Sequence, residues 1–265
     1  MEISLERNVK PALRWMARPG RGWMLPISAL LALGLWEAAT RWGGFPAFIL
    51  PPPGRVGQRF LLALGDGSLL RNTSATLLEV LLGLLIGVSL ATVFGYLLGK
   101  SRLLERLLAP YLVASQAIPI VAIAPLLVIW FGPGMVSKVL ICALIVFFPV
   151  LVNTVVGVRA VPAHLRDLMR SMHATRLQTL RYLEIPAAMP VFFGGLRIGA
   201  TLSVIGAVVG EFVGADRGLG FLINVGRGQF DTALVFVAVF TLIALALGLY
   251  GLVVLIERRL LRWKR

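Results

Sequence analysis

Apolar runs long enough to cross a bilayer recur along this chain, separated by stretches where charge, proline and glycine collect. A crossing helix needs roughly 20 mostly apolar residues. Six runs approach that length, at about residues 23–39, 75–98, 107–130, 136–158, 187–213 and 233–256. The first is short, with Pro26 and Glu37 near its ends, where proline and charge are tolerated best. Trp36 and Trp42 suit its far interface. Between the first two runs, Pro46 and Pro51-Pro52-Pro53-Gly54 exclude a helix, and Val56 to Leu64 predicts a short surface helix. After a turn at Asp216-Arg217-Gly218-Leu219-Gly220, Phe221 to Phe230 predicts another short surface or re-entrant helix. The expected fold is all-α and polytopic, with about six transmembrane helices over residues 23–265, preceded by a basic leader over residues 1–22.

The longest charged interruption is 159–186. Within it, Leu165, Leu168, Met169 and Met172 recur at the spacing of one helical face, and Arg166, Asp167 and Arg170 fall on the others. The pattern stumbles at His173-Ala174-Thr175. Thr175 followed by Gln178 has the form of a capping box, which predicts a second helix. Pro186 is expected to end it, since proline cannot continue the backbone ladder. Helix, turn, helix between two spans fits two roles: an amphipathic loop lying on lipid headgroups, or a surface that docks a partner.

Several spans carry features beyond hydrophobicity. Gly83 and Gly87, Gly95 and Gly99, Gly195 and Gly199, and Gly206 and Gly210 repeat at small-xxx-small spacing, which lets helices approach closely. Glu79 near the start of the second span is expected either at a helix N-terminus in the interface or in a watery vestibule. The third span holds Ser115 and Gln116 beside Pro119 and Pro125, and freed backbone carbonyls must find protein or water. Thr201 and Ser203 are the matching polar side chains of the fifth span, which ends at Glu211. These five, Ser115, Gln116, Thr201, Ser203 and Glu211, are the candidate lining of a solute path, against the alternative of kinked packing helices.

Composition agrees: 58% of residues are hydrophobic and 14% charged, where a soluble domain is nearer half and a quarter. The net charge of +14 would suit nucleic acid, but the charges lie between apolar segments. Eighteen Lys and Arg fall in the leader, the Lys100 loop, the 159–186 loop and the tail, against seven in the opposite loops. That imbalance predicts both termini and the long loop in the cytoplasm. The lone Cys142 excludes an internal disulfide and a multi-cysteine metal site. His164 and His173 would face opposite sides of one helix, a poor metal pair. Gly95-Tyr-Leu-Leu-Gly99-Lys100-Ser101 is one residue short of a nucleotide-binding loop and follows no strand. The leader lacks a small-residue cleavage site, so the first run is expected to be retained.

The 159–186 loop resembles the EAA loop of ABC importer permease subunits, whose pattern is Glu-Ala-Ala, three residues, Gly, nine residues, then Ile-x-Leu-Pro. Asp167-Leu168-Met169 stand at the first positions, His173 at the glycine and Leu183-Glu184-Ile185-Pro186 at the end. Spacing and proline are kept while the letters differ. Histidine is among the few non-glycine residues enriched at positive φ, so the turn is expected to survive. The resemblance runs from about Leu50 to Arg258 and is closest to permeases of the nitrate, sulfonate, taurine and bicarbonate importers. Gln229-Phe230-Asp231-Thr232 looks most like members that move thiamine precursors or riboflavin.

The resemblance implies a type I importer permease of a bacterial inner membrane that is not itself an enzyme and has no cofactor. Its implied partners are a separate ATPase, an external substrate-binding protein and a second copy of the chain. It makes Leu165, Asp167, Leu168, Met169, Met172, His173, Leu183, Ile185 and Pro186 the coupling residues. The alternative is a self-powered transporter or channel, which would usually show internal repeats and midplane ionisable residues. A membrane enzyme lacks a catalytic constellation here.

Overall fold

A computed structural model describes residues 23–262, so the leader and the last three residues of the tail lie outside the described residues. The regular elements are helical: α1 (Met24–Trp42), α2 (Pro53–Gly65), α3 (Ser68–Lys100), α4 (Arg102–Ala117), α5 (Ile120–Phe131), α6 (Met135–Arg159), α7 (Ala163–Ser171), α8 (Arg176–Thr179), α9 (Ile185–Gly214), α10 (Leu219–Gly228) and α11 (Thr232–Leu260). A π-helical segment, Leu180–Glu184, joins α8 to α9.

The centre is α6, clasped between α3 and α9. The glycine repeats explain how. A Cβ at Gly87 of α3 would fall 2.7 Å from the Ala143 carbonyl oxygen, and one at Gly195 of α9 would fall 2.6 Å from Asn153 Cβ. Both flanking helices therefore lay glycine against α6, and dispersion contacts accumulate at short range, the main attraction available between apolar helices in lipid. Val80, Cys142, Phe193, Ala200, Val204, Ala207, Leu249 and Val253 form one continuous cluster that adds α11 to this layer. A second cluster joins α2, α10 and the start of α11 at one end.

Among the described residues, four helices are long and apolar enough to cross a membrane, α3, α6, the continuous stretch Arg176–Gly214 and α11, or five if α4 and α5 count as one. The expected third span is broken. Its two halves meet at 92°. The cause is local: Ile118 precedes Pro119, which drives Ile118 to an extended ψ of 119°, and Pro119 then caps α5. Helix α1 was expected as a sixth span and has 19 residues, with Glu37 and Arg41 paired one turn apart near its end. Trp36 is a packing residue more than an interface anchor. Its Nε1 donates to the Pro51 carbonyl at 3.1 Å and its ring stacks on Phe236.

Pro186 does not end the second loop helix, as the sequence suggests. The chain runs unbroken from Arg176 to Gly214. An in-line proline removes an i→i−4 bond and crowds the carbonyl of residue i−4. Here the turn before it is widened: the Ile185 N–H reaches back five residues to the Leu180 carbonyl. That π segment lets Pro186 sit in the first turn of α9.

Candidate functional site

Two constellations sit at opposite ends of the α3–α6–α9 layer. The first is the 159–186 loop. Helix α7 is followed by His173 at φ 54°, and Ala174 N–H closes the turn on the Met169 carbonyl at 3.0 Å. The capping box is formed: Thr175 Oγ1 accepts from Gln178 N–H at 3.2 Å, and Gln178 Oε1 accepts from Thr175 N–H at 2.7 Å. The apolar stripe divides between two environments. Leu165 and Met169 are half-buried against the body, while Leu168 and Met172 are 52% and 68% exposed. Leu177, 71% exposed, extends the uncovered surface onto α8, and Tyr182 and Ile185 continue it. Leu183 and Pro186 are half-buried. Asp167 is exposed and pairs only loosely with Arg170, at 3.3 Å.

The base of the loop is tied down by polar contacts that sequence reasoning missed. Glu184, inside the π segment, is buried and accepts hydrogen bonds from Tyr96 Oη at 3.0 Å and from Lys100 Nζ. Arg166 donates to the Val158 carbonyl at 2.7 Å, and Arg159 donates to the Leu98 carbonyl at 3.2 Å and pairs with Glu105. The loop thus hangs from α3 and α6 with its apolar edge facing outward.

The second constellation is a buried ionic network at the other end. Lys138 of α6 and Glu79 of α3 are paired at 3.2 Å, both nearly inaccessible. Glu79 therefore faces neither the interface nor a vestibule, and Lys138, counted by sequence among the opposite-loop charges, is an interior residue. Glu211 of α9 is buried beside them. Thr76 Oγ1 donates to Glu211 Oε1 at 2.6 Å and accepts from Leu219 N–H at 2.8 Å, while Gly220 N–H donates to Glu211 Oε2. Asn72 Oδ1 accepts from Gly218 N–H at 2.8 Å. Gly218, at φ 123°, stands where a Cβ would strike the Glu211 carboxyl. The Asp216–Gly220 turn is therefore folded around Glu211. The pair of glycines was the available signal, and nothing in the sequence singles out Asn72.

The path candidates do not converge in this conformation. Ser115 is half-buried on α4 with its hydroxyl turned to the Leu112 carbonyl, and Gln116 beside it is exposed. Thr201 is half-buried and borders a shallow cleft with Gly194, Arg197, Ile198 and Tyr250. Ser203 is fully buried, its hydroxyl bonded to the Ala200 carbonyl, and its own carbonyl receives Cys142 Sγ at 3.5 Å. Ser203 and Glu211 here pack helices together rather than line a surface. A polar cleft of about 380 Å³ opens instead between α2 and the α10–α11 turn, lined by Arg55, Gln58, Gln229, Phe230 and Asp231, with Arg59 fixed to Asp231 at 2.7 Å.

Residues 83–262, from within α3 through α11 and including the loop, match the family of binding-protein-dependent transport system inner membrane components. The chain belongs to this family. It is 49% identical to the riboflavin transport system permease of Chloroflexus aurantiacus over 97% of this chain and 96% of that one. It is 36% identical to the formylaminopyrimidine transport permease of Halalkalibacterium halodurans, covering 89% and 94%. With the putative aliphatic sulfonates transport permease of Bacillus subtilis it shares 32% identity over 98% and 95%. It is a multi-pass permease subunit of an ABC importer. A permease of this family works with an ATPase and a substrate-binding protein.

Proposed function

We propose that this permease carries a heterocyclic vitamin or vitamin precursor across the membrane as a homodimer. Both termini and the 159–186 loop lie in the cytoplasm, and an ATPase docks on Leu168, Met172 and Leu177. The exposed apolar edge of the loop carries the docking assignment. A helix laid in a partner's groove is anchored by apolar residues at i, i+3, i+4 and i+7 spacing, and here half of that set is already used against the permease's own body while the other half is free. Asp167 stands beside that edge, exposed and only loosely paired with Arg170, so it is free to form a close charge pair with a basic group of the ATPase. The second copy would cover α4 and α5, whose Leu103, Leu107, Tyr111, Ile129 and Trp130 are all exposed. Gln116 and Thr201 remain the path candidates with accessible side chains.

The solute class is supported by similarity to riboflavin and formylaminopyrimidine permeases and by the cleft at the α10–α11 turn. Phe230 is exposed there, at φ 55°, beside the amides of Gln58 and Gln229, a pairing of aromatic face with hydrogen-bonding groups suited to a planar ring. The test is ATP-driven uptake into proteoliposomes holding the permease, its ATPase and its binding protein, offered labelled riboflavin, formylaminopyrimidine or taurine. Uptake of a ring compound in preference to taurine is expected; preferential taurine uptake would overturn the assignment.

A further inference from the structure

A largely apolar groove of about 560 Å³ runs along the loop end of the layer. Its walls include Val93 and Leu97 of α3, Val158 of α6 and Met189 and Phe192 of α9. It opens sideways past Val93 and Leu97, which are 58% and 48% exposed. On α3 the groove's wall runs from Thr92 to Leu97, and Lys100 lies a turn beyond it, so eight residues of helix, about 12 Å, separate Thr92 from the position of Lys100 on the helix. One leaflet of hydrocarbon is about 15 Å deep, half of a ~30 Å core.

The groove's loop end is charged. Tyr96 and Glu184 form part of the wall, and Lys100 pairs with Glu184 while remaining partly exposed. Arg166 reaches the same place: it donates to the carbonyl of Val158, a wall residue, yet its Nε is buried without a hydrogen-bond partner. Two cations facing one carboxylate leave a net positive charge at the polar mouth of an apolar slot. We infer that this groove binds an anionic phospholipid, one acyl chain lying along Val93 and Leu97 and the headgroup phosphate meeting Lys100 and Arg166. The match is of depth and of charge: hydrocarbon for the slot, an anion for the partly exposed ammonium of Lys100 and the excess positive charge beside it. Basic pockets between spans at the headgroup level hold anionic lipids by this combination. Since Glu184 and Ile185 belong to both groove and loop base, a bound lipid would brace the π segment from which the loop hangs. The inference does not depend on the solute.

Native mass spectrometry of the purified transporter complex from nanodiscs of mixed phosphatidylglycerol and phosphatidylcholine tests it. The wild type is expected to retain phosphatidylglycerol at collision energies that strip phosphatidylcholine. Leu97→Trp or Val93→Trp, which fills the slot from an exposed position, should lower retained phosphatidylglycerol about tenfold. Arg166→Gln should abolish the preference for phosphatidylglycerol over phosphatidylcholine. Equal retention of the two lipids by the wild type would overturn the inference without any variant. So would unchanged retention in both tryptophan variants, or a disulfide between two copies through Val93→Cys in a Cys142→Ala background, which would mean that a second chain fills the groove.

Discussion

Lys138 Nζ lies 3.2 Å from Glu79 Oε1, with both side chains sealed inside the protein. Each is there because the other is. Removing one partner of a buried pair leaves a bare charge and costs about 3–5 kcal/mol, whereas replacing both is close to neutral. Lys138→Met should therefore lower the thermal or denaturant midpoint of the purified permease strongly, and Lys138→Met with Glu79→Gln should recover part of the loss, Glu211 remaining buried beside the site. Additive effects in that cycle would mean that the pair is not an energetic unit.

Thr76 joins the same network to the turn beyond α9, donating to Glu211 and accepting from Leu219 N–H. Valine has the same shape but neither group. Thr76→Val should cost about 1–3 kcal/mol, the range for a buried polar group left unsatisfied. Amide exchange at residues 218–220 should rise with it, and Thr76→Ser should restore both. Unchanged exchange in the valine variant would separate the turn from the network.

His173 holds the turn of the loop at φ 54°. His173→Gly should be tolerated, because glycine enters that region without steric cost. His173→Val should destabilise the loop by roughly 1–3 kcal/mol, read as faster proteolysis between α7 and α8. Equal proteolysis of the two variants would show that the backbone there is not constrained.

Much of this architecture was legible in the residues. Apolar runs located most of the spans, glycine spacing anticipated the clasp around α6, and His173 and Thr175 announced their turn and cap correctly. These features are local, set by a few neighbouring side chains. The failures are of two kinds. Pro119 and Pro186 look alike in sequence, yet Pro119 stands at a break between two helices while Pro186 follows a π segment in an unbroken one. Lys138, Glu184 and Asn72 find their partners across the fold, 59, 84 and 146 positions away, and hydropathy carries no record of such pairings.

Topology is tested by single cysteines in a Cys142→Ala background. With the loop in the cytoplasm, Thr175→Cys should resist an impermeant thiol reagent in intact cells, while Gly54→Cys and Arg217→Cys should label. The reverse pattern would invert the orientation.

The most direct measurement is retention of the ATPase by loop variants, together with binding-protein-stimulated ATP hydrolysis in membranes. Leu168→Asp with Met172→Asp places charge on the exposed edge while leaving Leu165 and Met169 on their own body. Asp167→Arg reverses the charge that stands beside Arg166 and Arg170. Loss of a close interfacial charge pair can cost about 2–5 kcal/mol, a weakening of roughly thirty-fold or more. Both variants should assemble as permease, lose the co-purifying ATPase and lose stimulated hydrolysis, while Asp167→Glu keeps all three. Full ATPase retention and full stimulated hydrolysis in both loop variants would contradict the docking assignment and leave the loop as a surface lying on lipid.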